Sequence, residues 1–242
     1  MNTFPALAHP SPAYPSGGPA ILSDFDGTII PINTVNYLLE HFAAPEWREI
    51  TQRWARGEIS QEDEYRLSFA SVRASAGEME EILASVPLDP AFPNFIDLCR
   101  RREVPFAIVS DGLRWYIEYI FSRHGLRDIP IYACEIRFQN PGYSFEFPYF
   151  HASTPLNGAS KRFLVQTYSR NYKPVIFIGD GHNDIKAAEV AGRVYARDRL
   201  LESSRQRNLP AVEFASFADI AADLFQLDEL LKPPPEPGGA KD

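Results

Sequence analysis

Cysteine is scarce: Cys99 and Cys134 are the only two in 242 residues. Their separation matches no metal-ligand spacing, so reduced, partly buried thiols are expected rather than a disulfide. No apolar run approaches the roughly 18 residues of a membrane-spanning helix. The N-terminus lacks a basic region followed by an apolar core, so no secretory signal is read, and a cytoplasmic location is the expectation that follows. Positive charge is also short. With 24 Lys+Arg against 32 Asp+Glu, the formal net charge is -8, which argues against nucleic acid or an anionic membrane surface as the main partner. A small anionic substrate is not excluded, because a site has its own local field. No internal repeat is present.

What remains is an ordinary globular composition, 45% hydrophobic, in a length that suits one large domain or a core with a smaller insertion. Residues 1–19 are rich in Pro, Ala, Ser and Gly and are expected to be a disordered leader. Residues 232–242, with Pro233-Pro234-Pro235, are expected to be a disordered tail. Between them, apolar runs predict strands at Ala20–Phe25, Val104–Val109, Val175–Ile178 and Arg193–Ala196. Helical spacing predicts helices at Pro93–Arg102, Leu113–Arg123, Ser160–Arg170, Asp184–Ala191 and Phe217–Leu231. Ile131–Phe138 and Tyr143–Phe147 flank Asn140-Pro141-Gly142 as a hairpin. This alternation predicts an α/β fold, a doubly wound, mostly parallel sheet covered on both faces.

Residues 34–86 break the pattern. Thr34 as N-cap, Pro45-Glu46-Trp47, the capping-box-like Ser60-Gln61-Glu62-Asp63 and the stretch Glu78–Val86 all read as helix. The expectation is a helical cap, 34–86, inserted into a catalytic core of 20–33 and 87–231. Trp47, Trp54, Tyr65 and Phe69 have the spacing of its internal packing. The hairpin near Pro141 and the last helix are candidate surfaces for a homodimer.

Three strands end in polar or acidic residues: Asp24-Phe25-Asp26-Gly27-Thr28, Ser110-Asp111-Gly112 and Gly179-Asp180-Gly181-His182-Asn183-Asp184. Lys161 opens the helical pattern that precedes the third. In such sheets ligands bind beyond the carboxyl ends of the strands, where all these residues would gather. Taken singly each is weak, since a strand-terminal Asp is often a turn former or a helix cap and a lone lysine is usually on the surface. Together and in this order, they resemble the four signature motifs of the haloacid dehalogenase superfamily of phosphatases, over the span from Ala20 to Leu231.

The resemblance implies a Rossmann-like core and a phosphatase acting on a small phosphorylated metabolite with Mg²⁺ as cofactor. It implies Asp24 as a nucleophile that forms an aspartyl-phosphate, and Asp26 as general acid and base. It places Ser110, the neighbouring Asp111 and Gly112, and Lys161 at the phosphate. Loss of a charged group such as Lys161 typically costs on the order of 3 kcal/mol in the transition state. It assigns the metal to Asp24, the backbone carbonyl of Asp26, and Asp180, with Asp184 in support. His182 fills a variable slot in the fourth motif. The position of the cap resembles the phosphoserine-phosphatase-like branch. Within it, Phe42-Ala43-Ala44-Pro45-Glu46-Trp47, Ala196-Arg197-Asp198-Arg199-Leu200-Leu201 and Asn208-Leu209-Pro210 resemble the methionine-salvage subfamily that acts on a hydroxy-keto-methylthiopentenyl phosphate.

Two positions depart from the pattern. Phosphoserine phosphatases carry a glutamate nine residues after the nucleophile, where this chain has Asn33, so phosphoserine is disfavoured. The second motif usually reads Ser-Gly-Gly. A carboxylate beside a phosphate repels it, so Asp111 is expected to face away and cap the helix at Leu113, the other option being contact with a basic substrate group. Two other functions use the same motifs: phosphotransfer to an alcohol or sugar, as in a mutase, and a retired phosphatase kept as a binding or regulatory protein. Retirement usually removes the nucleophile or the metal carboxylate, and Asp24, Asp26, Lys161 and Asp180 are all here.

Overall fold

A computed structural model describes residues 17–139, 142–149 and 159–225. In chain order the elements are β1 (Ala20–Ser23), α1 (Thr34–Phe42), α2 (Trp47–Ala55), α3 (Gln61–Ser68), α4 (Ala76–Leu83) and α5 (Phe92–Arg101). Then follow β2 (Phe106–Leu113), α6 (Arg114–Arg123), β3 (Ile131–Phe138), β4 (Tyr143–Glu146), α7 (Ala159–Tyr168) and β5 (Val175–Gly179). The last are α8 (Ile185–Ala188), β6 (Arg193–Ala196), α9 (Asp198–Gln206), β7 (Val212–Glu213) and α10 (Phe217–Phe225). Most of the expected leader, the expected tail, the turn residues Asn140 and Pro141, and the last helix beyond Phe225 lie outside the described residues. Gly17 and Gly18 already bond to Asn171 and Lys173, so the chain joins the core ahead of β1.

The seven strands form one sheet in the order β4-β3-β2-β1-β5-β6-β7, parallel throughout except for β4 against β3. This is the doubly wound sheet expected. The chain starts in the middle at β1, winds outward through β2 and β3, then returns to the other side through β5 and β6. β1 is therefore the point where the winding reverses, and a crevice opens beyond the carboxyl ends of its neighbours.

The strands read as continuous apolar runs because both faces are covered, and their two-residue period divides them between two cores. Ile21, Ile108, Ile176 and Ile178 face one cluster, built with Phe92, Phe95 and Phe217 from α5 and α10. Leu22, Val109, Val175 and Phe177 face the other, built with Leu164, Val165 and Leu200 from α7 and α9. Trp47, Tyr65 and Phe69 are buried in the first cluster, which is thus shared between the core and the helical stretch α1–α4. Cys99 and Cys134 are buried free thiols; burial pushes the Cys99 thiol up to about 12.

Two local expectations are corrected. Thr34 does not cap α1. Asn33, extended at φ -87° and ψ 110°, takes that place and accepts the Asn36 N–H at 2.9 Å, because an N-cap must sit one residue ahead of helical backbone. β2 does not stop at Val109 but runs through Ser110-Asp111-Gly112 to Leu113, with its pairing to β3 shifting between Val109 and Leu113. The stretch after β6, to which the sequence pattern assigned no element, forms α9 and β7.

Candidate active site

The register of the sheet assembles the site. Ser23 pairs with Ile108 on one side and Ile178 on the other, so Asp24 leaves β1 level with Val109, one residue ahead of Ser110 in β2, and with Gly179 at the end of β5. Its N–H donates to the Ile178 carbonyl at 2.9 Å, so backbone pairing continues one residue past β1. The chain then folds back tightly, with the Thr28 and Ile29 N–H groups both donating to the Phe25 carbonyl. Gly27 permits this turn with φ +74°, and a Cβ there would lie 2.2 Å from an Asp180 carboxylate oxygen.

Lys161 sits at the centre, wholly buried at 0% exposure. Its ammonium lies 2.8 Å from Asp24 Oδ2, 2.7 Å from Asp184 Oδ1 and 3.6 Å from Asp111 Oδ2. Burial works against that charge, but Asp184, Asp24 and Asp111 together outweigh it and hold the ammonium protonated well above its ordinary range. Asp24 Oδ1 accepts the Phe25 N–H at 2.8 Å. Burial, then the Asp184 charge, raise the proton affinity of Asp24, and Lys161 opposes both.

Asp184 is an anchor. Its Oδ1 accepts from Lys161, and its Oδ2 accepts the Asp180 and Gly181 N–H groups at 3.0 and 2.9 Å. It is buried at 0% exposure. Asp180 Oδ1 accepts the Thr28 hydroxyl at 2.7 Å. Burial and the Asp184 charge push its carboxyl up to about 6. Asp24, Asp180 and Asp184 each offer an oxygen within 4.8 Å of the others. Three crowded carboxylates, two of them held toward protonation, form the hard oxygen set that a small divalent cation prefers. The Asp26 carboxylate stands outside that set.

Asp26 instead lies between two helices. Its Oδ1 accepts the Thr34 hydroxyl at 2.5 Å and the Thr34 N–H at 3.2 Å, and its Oδ2 accepts the Tyr116 hydroxyl at 2.5 Å. Burial raises its carboxyl; the bonds from Thr34 and Tyr116 pull the other way. Ser110 is buried, and its Oγ accepts the Gly112 N–H at 3.0 Å.

Asp111 does not face away. Its Oδ2 accepts from Asn183 Nδ2 at 2.5 Å and faces Lys161. The N-cap of α6 falls to Leu113, with no side-chain cap bond. Because β2 continues in extended form, Asp111 is too far upstream to cap the helix, and the Lys161 charge attracts it inward. Its carbonyl accepts from Gln61 Nε2 at 2.9 Å and from the Tyr65 hydroxyl at 2.7 Å, so α3 is fastened to the site. A shallow cleft, open to solvent, lies there between Gln61, Ser110, Asp111, Tyr132, Cys134 and Phe147.

Sequence reasoning missed Thr34, Gln61, Tyr65, Tyr116 and Arg197 as neighbours of the site. Arg197 donates to the Gly27 carbonyl at 2.9 Å from Nε and to the Thr28 carbonyl at 2.7 Å from Nη2, with its guanidinium 5.1 Å from the Phe214 ring centre. It fixes the turn after Asp24. The one signal available was its presence in a stretch that resembled a subfamily. His182 is exposed in the short turn His182–Asp184.

A parallel sheet that brings a strand-end aspartate, a buried lysine and an acidic loop to one rim is the arrangement of a known class. The sequence matches the model of the haloacid dehalogenase-like hydrolase family over residues 21–189, and the chain belongs to that family. It is similar to the 2-hydroxy-3-keto-5-methylthiopentenyl-1-phosphate phosphatase of Brevibacillus brevis, 27% identical over 215 residues, 86% of this chain and 96% of that protein. The protein of the same description from Bacillus pumilus is 26% identical, over 88% of this chain and 93% of its own length. A solved substrate-bound phosphoserine phosphatase complex shares the fold with a TM-score of 0.64 at 18% identity, over 86% of this chain and 98% of that one. Among the described residues, no helix is long and apolar enough to cross a membrane.

Proposed function

We propose that the protein is a Mg²⁺-dependent phosphatase that hydrolyses a small-metabolite phosphate monoester through an aspartyl-phosphate on Asp24. The observation that carries this reading is the buried Lys161 ammonium shared by Asp24 and Asp184. A fully buried lysine is costly unless paired; here it faces the strand-end carboxylate that a phosphoryl group would approach. The substrate we infer is of the kind named for the similar proteins, a methylthiopentenyl phosphate of methionine salvage. Two features favour it over phosphoserine: Asn33 offers no carboxylate to an ammonium, and its side chain is engaged in capping α1.

Asp24 and Asp180 would hold the cation, with the Asp26 carbonyl as a further ligand and Asp184 in support. When bound, Mg²⁺ would offset the charge of the phosphoryl group and of the attacking carboxylate. The chain's own residues supply the rest. An Asp24 oxygen bonds to phosphorus as the ester P–O bond breaks, and its electron pair stays on the ester oxygen. That oxygen takes the proton of Asp26. In the second step water attacks phosphorus, Asp26 takes its proton, and the bond to Asp24 breaks to release phosphate. Lys161 and the Ser110 loop neutralise and orient the phosphoryl oxygens. The helices α1–α4 act as the cap, reading the organic part of the substrate in the cleft between Gln61 and Phe147 and keeping water out during transfer.

The decisive experiment is Asp24→Asn in the full chain, assayed with Mg²⁺ over a panel of small phosphate esters that includes methylthio-sugar-derived phosphates and phosphoserine. The expected outcome is activity at background with an unchanged circular dichroism spectrum. Wild-type turnover by that variant would end the proposal.

A further inference from the structure

The Tyr116 hydroxyl is placed with more care than packing requires. The side chain is 0% exposed, its ring centre is 6.1 Å from that of Phe25, and its hydroxyl is 2.5 Å from Asp26 Oδ2. The space it fills belongs to a neighbour. A Cβ on Gly112 would lie 1.7 Å from the Tyr116 hydroxyl oxygen and 3.1 Å from Asp26 Oδ2. Gly112 is not among the residues with positive φ, so its backbone conformation does not call for glycine. The demand is for room, and the hydrogen bond between Tyr116 and Asp26 occupies that room.

The other carboxylate oxygen is held as firmly. Asp26 Oδ1 accepts both the hydroxyl and the N–H of Thr34, which uses both of its lone pairs. Among the described residues, Oδ2 accepts one bond, from Tyr116, which leaves its second lone pair for a proton. A carboxyl gripped at both oxygens by donors on two different helices has little freedom to rotate, and a proton donor must be within hydrogen-bond reach of the atom it serves.

We propose that Tyr116 is a positioning residue for proton transfer to the leaving group: seated in the space left by Gly112, it and Thr34 fix Asp26 so that Oδ2 delivers the proton to the ester oxygen. The proposal rests on the reading of Asp26 as the general acid. In this step the proton leaves Asp26 Oδ2 for the ester oxygen as the P–O bond breaks, and Asp26 is left ionised with Tyr116 and Thr34 still donating to it.

The test is leaving-group dependence, read from kcat/KM, which reports steps through the first phosphoryl transfer. The wild-type chain with Mg²⁺ is compared with Tyr116→Phe, Thr34→Val, Thr34→Ser and Asp26→Asn on p-nitrophenyl, phenyl and benzyl phosphates. The p-nitrophenolate needs no proton to depart, whereas benzyl alkoxide does. General acid catalysis is worth roughly 10²–10⁴-fold, and part of it should vanish: Tyr116→Phe loses about 30-fold on benzyl phosphate and less than about threefold on p-nitrophenyl phosphate, with KM little changed. Thr34→Val behaves alike and Thr34→Ser restores the wild-type pattern, which keeps the test open should the buried tyrosine substitution impair folding. A purely structural role would lower all three esters equally, and that result overturns the proposal. Should Asp26→Asn steepen the leaving-group dependence while Tyr116→Phe and Thr34→Val do not, positioning fails and the acid reading stands. Should Asp26→Asn itself leave the dependence flat, the acid reading fails and takes the proposal with it.

Discussion

Glu64 in α3 shows what burial does to a single carboxyl away from the catalytic rim. It is 4% exposed, and it accepts a hydrogen bond from the Thr51 hydroxyl at 3.0 Å. Burial raises its carboxyl from 4.5 to about 7. The folded state therefore binds a proton that the unfolded state has released between those values, so this group's contribution to stability falls as pH rises through that window and is lowest above it. Glu64→Gln removes the penalty. Chemical denaturation should find the variant more stable than wild type at pH 8 by on the order of 3 kcal/mol, with the difference nearly gone at pH 4.5. A variant no more stable at pH 8 would mean that water reaches this carboxylate. At this scale the sequence was partly legible. The acidic residues and Lys161 declared themselves through position at strand ends. The inward turn of Asp111 did not, because it depends on a lysine 50 residues away in sequence and on how far β2 continues. Tyr116 and Thr34 were invisible for a similar reason: each is ordinary within its own helix and acquires meaning only opposite Asp26.

Elements were easier to read than their ends. Strand positions followed from apolar runs, and Ser60 and Ser75 mark the starts of α3 and α4 by accepting the Asp63 and Glu78 N–H groups. The start of α1 was misplaced by one residue, and that residue matters. With Asn33 as the cap, the Thr34 hydroxyl is free for Asp26. Two cap deletions should then differ. Ser75→Ala and Asn33→Ala should each cost about 1 kcal/mol of stability in thermal or denaturant unfolding. Ser75→Ala should leave kcat/KM unchanged, whereas Asn33→Ala should lower it by loosening the turn that presents Thr34. Equal activities in the two would detach the start of α1 from catalysis. β7 escaped notice because Val212 and Glu213 are exposed and carry no apolar pattern, and α9 because its short apolar stripe was read as motif.

Across the whole molecule, a mostly parallel sheet was implied by the alternation of strands and helices, whereas its strand order and the fastening of α3 onto Asp111 were not, since main-chain carbonyls leave no trace in sequence. The same architecture concentrates Asp24, Asp180 and Asp184 at one point, which the fold must hold together against their mutual repulsion. A cation that binds there only in the folded state should stabilise the chain; at a hundredfold excess over its Kd the gain is about 2.7 kcal/mol. For a chain of this size, Mg²⁺ should raise Tm by about 5 °C or more, and a chelator should reverse both that shift and the activity. Asp180→Asn should lose most of the response; an undiminished shift in that variant would place the cation elsewhere.

The ammonium of Lys161 touches carboxylates from three separate stretches of polypeptide, at Asp24, Asp111 and Asp184. During synthesis Asp24 is made before its counterion at Lys161, which in turn precedes Asp184. A chain that stops short of Asp184 lacks one of the carboxylates that share this ammonium, so the charge cluster closes only when the third stretch is present. The pairing is therefore completed in a single late event of folding, because each carboxylate depends on the same buried ammonium.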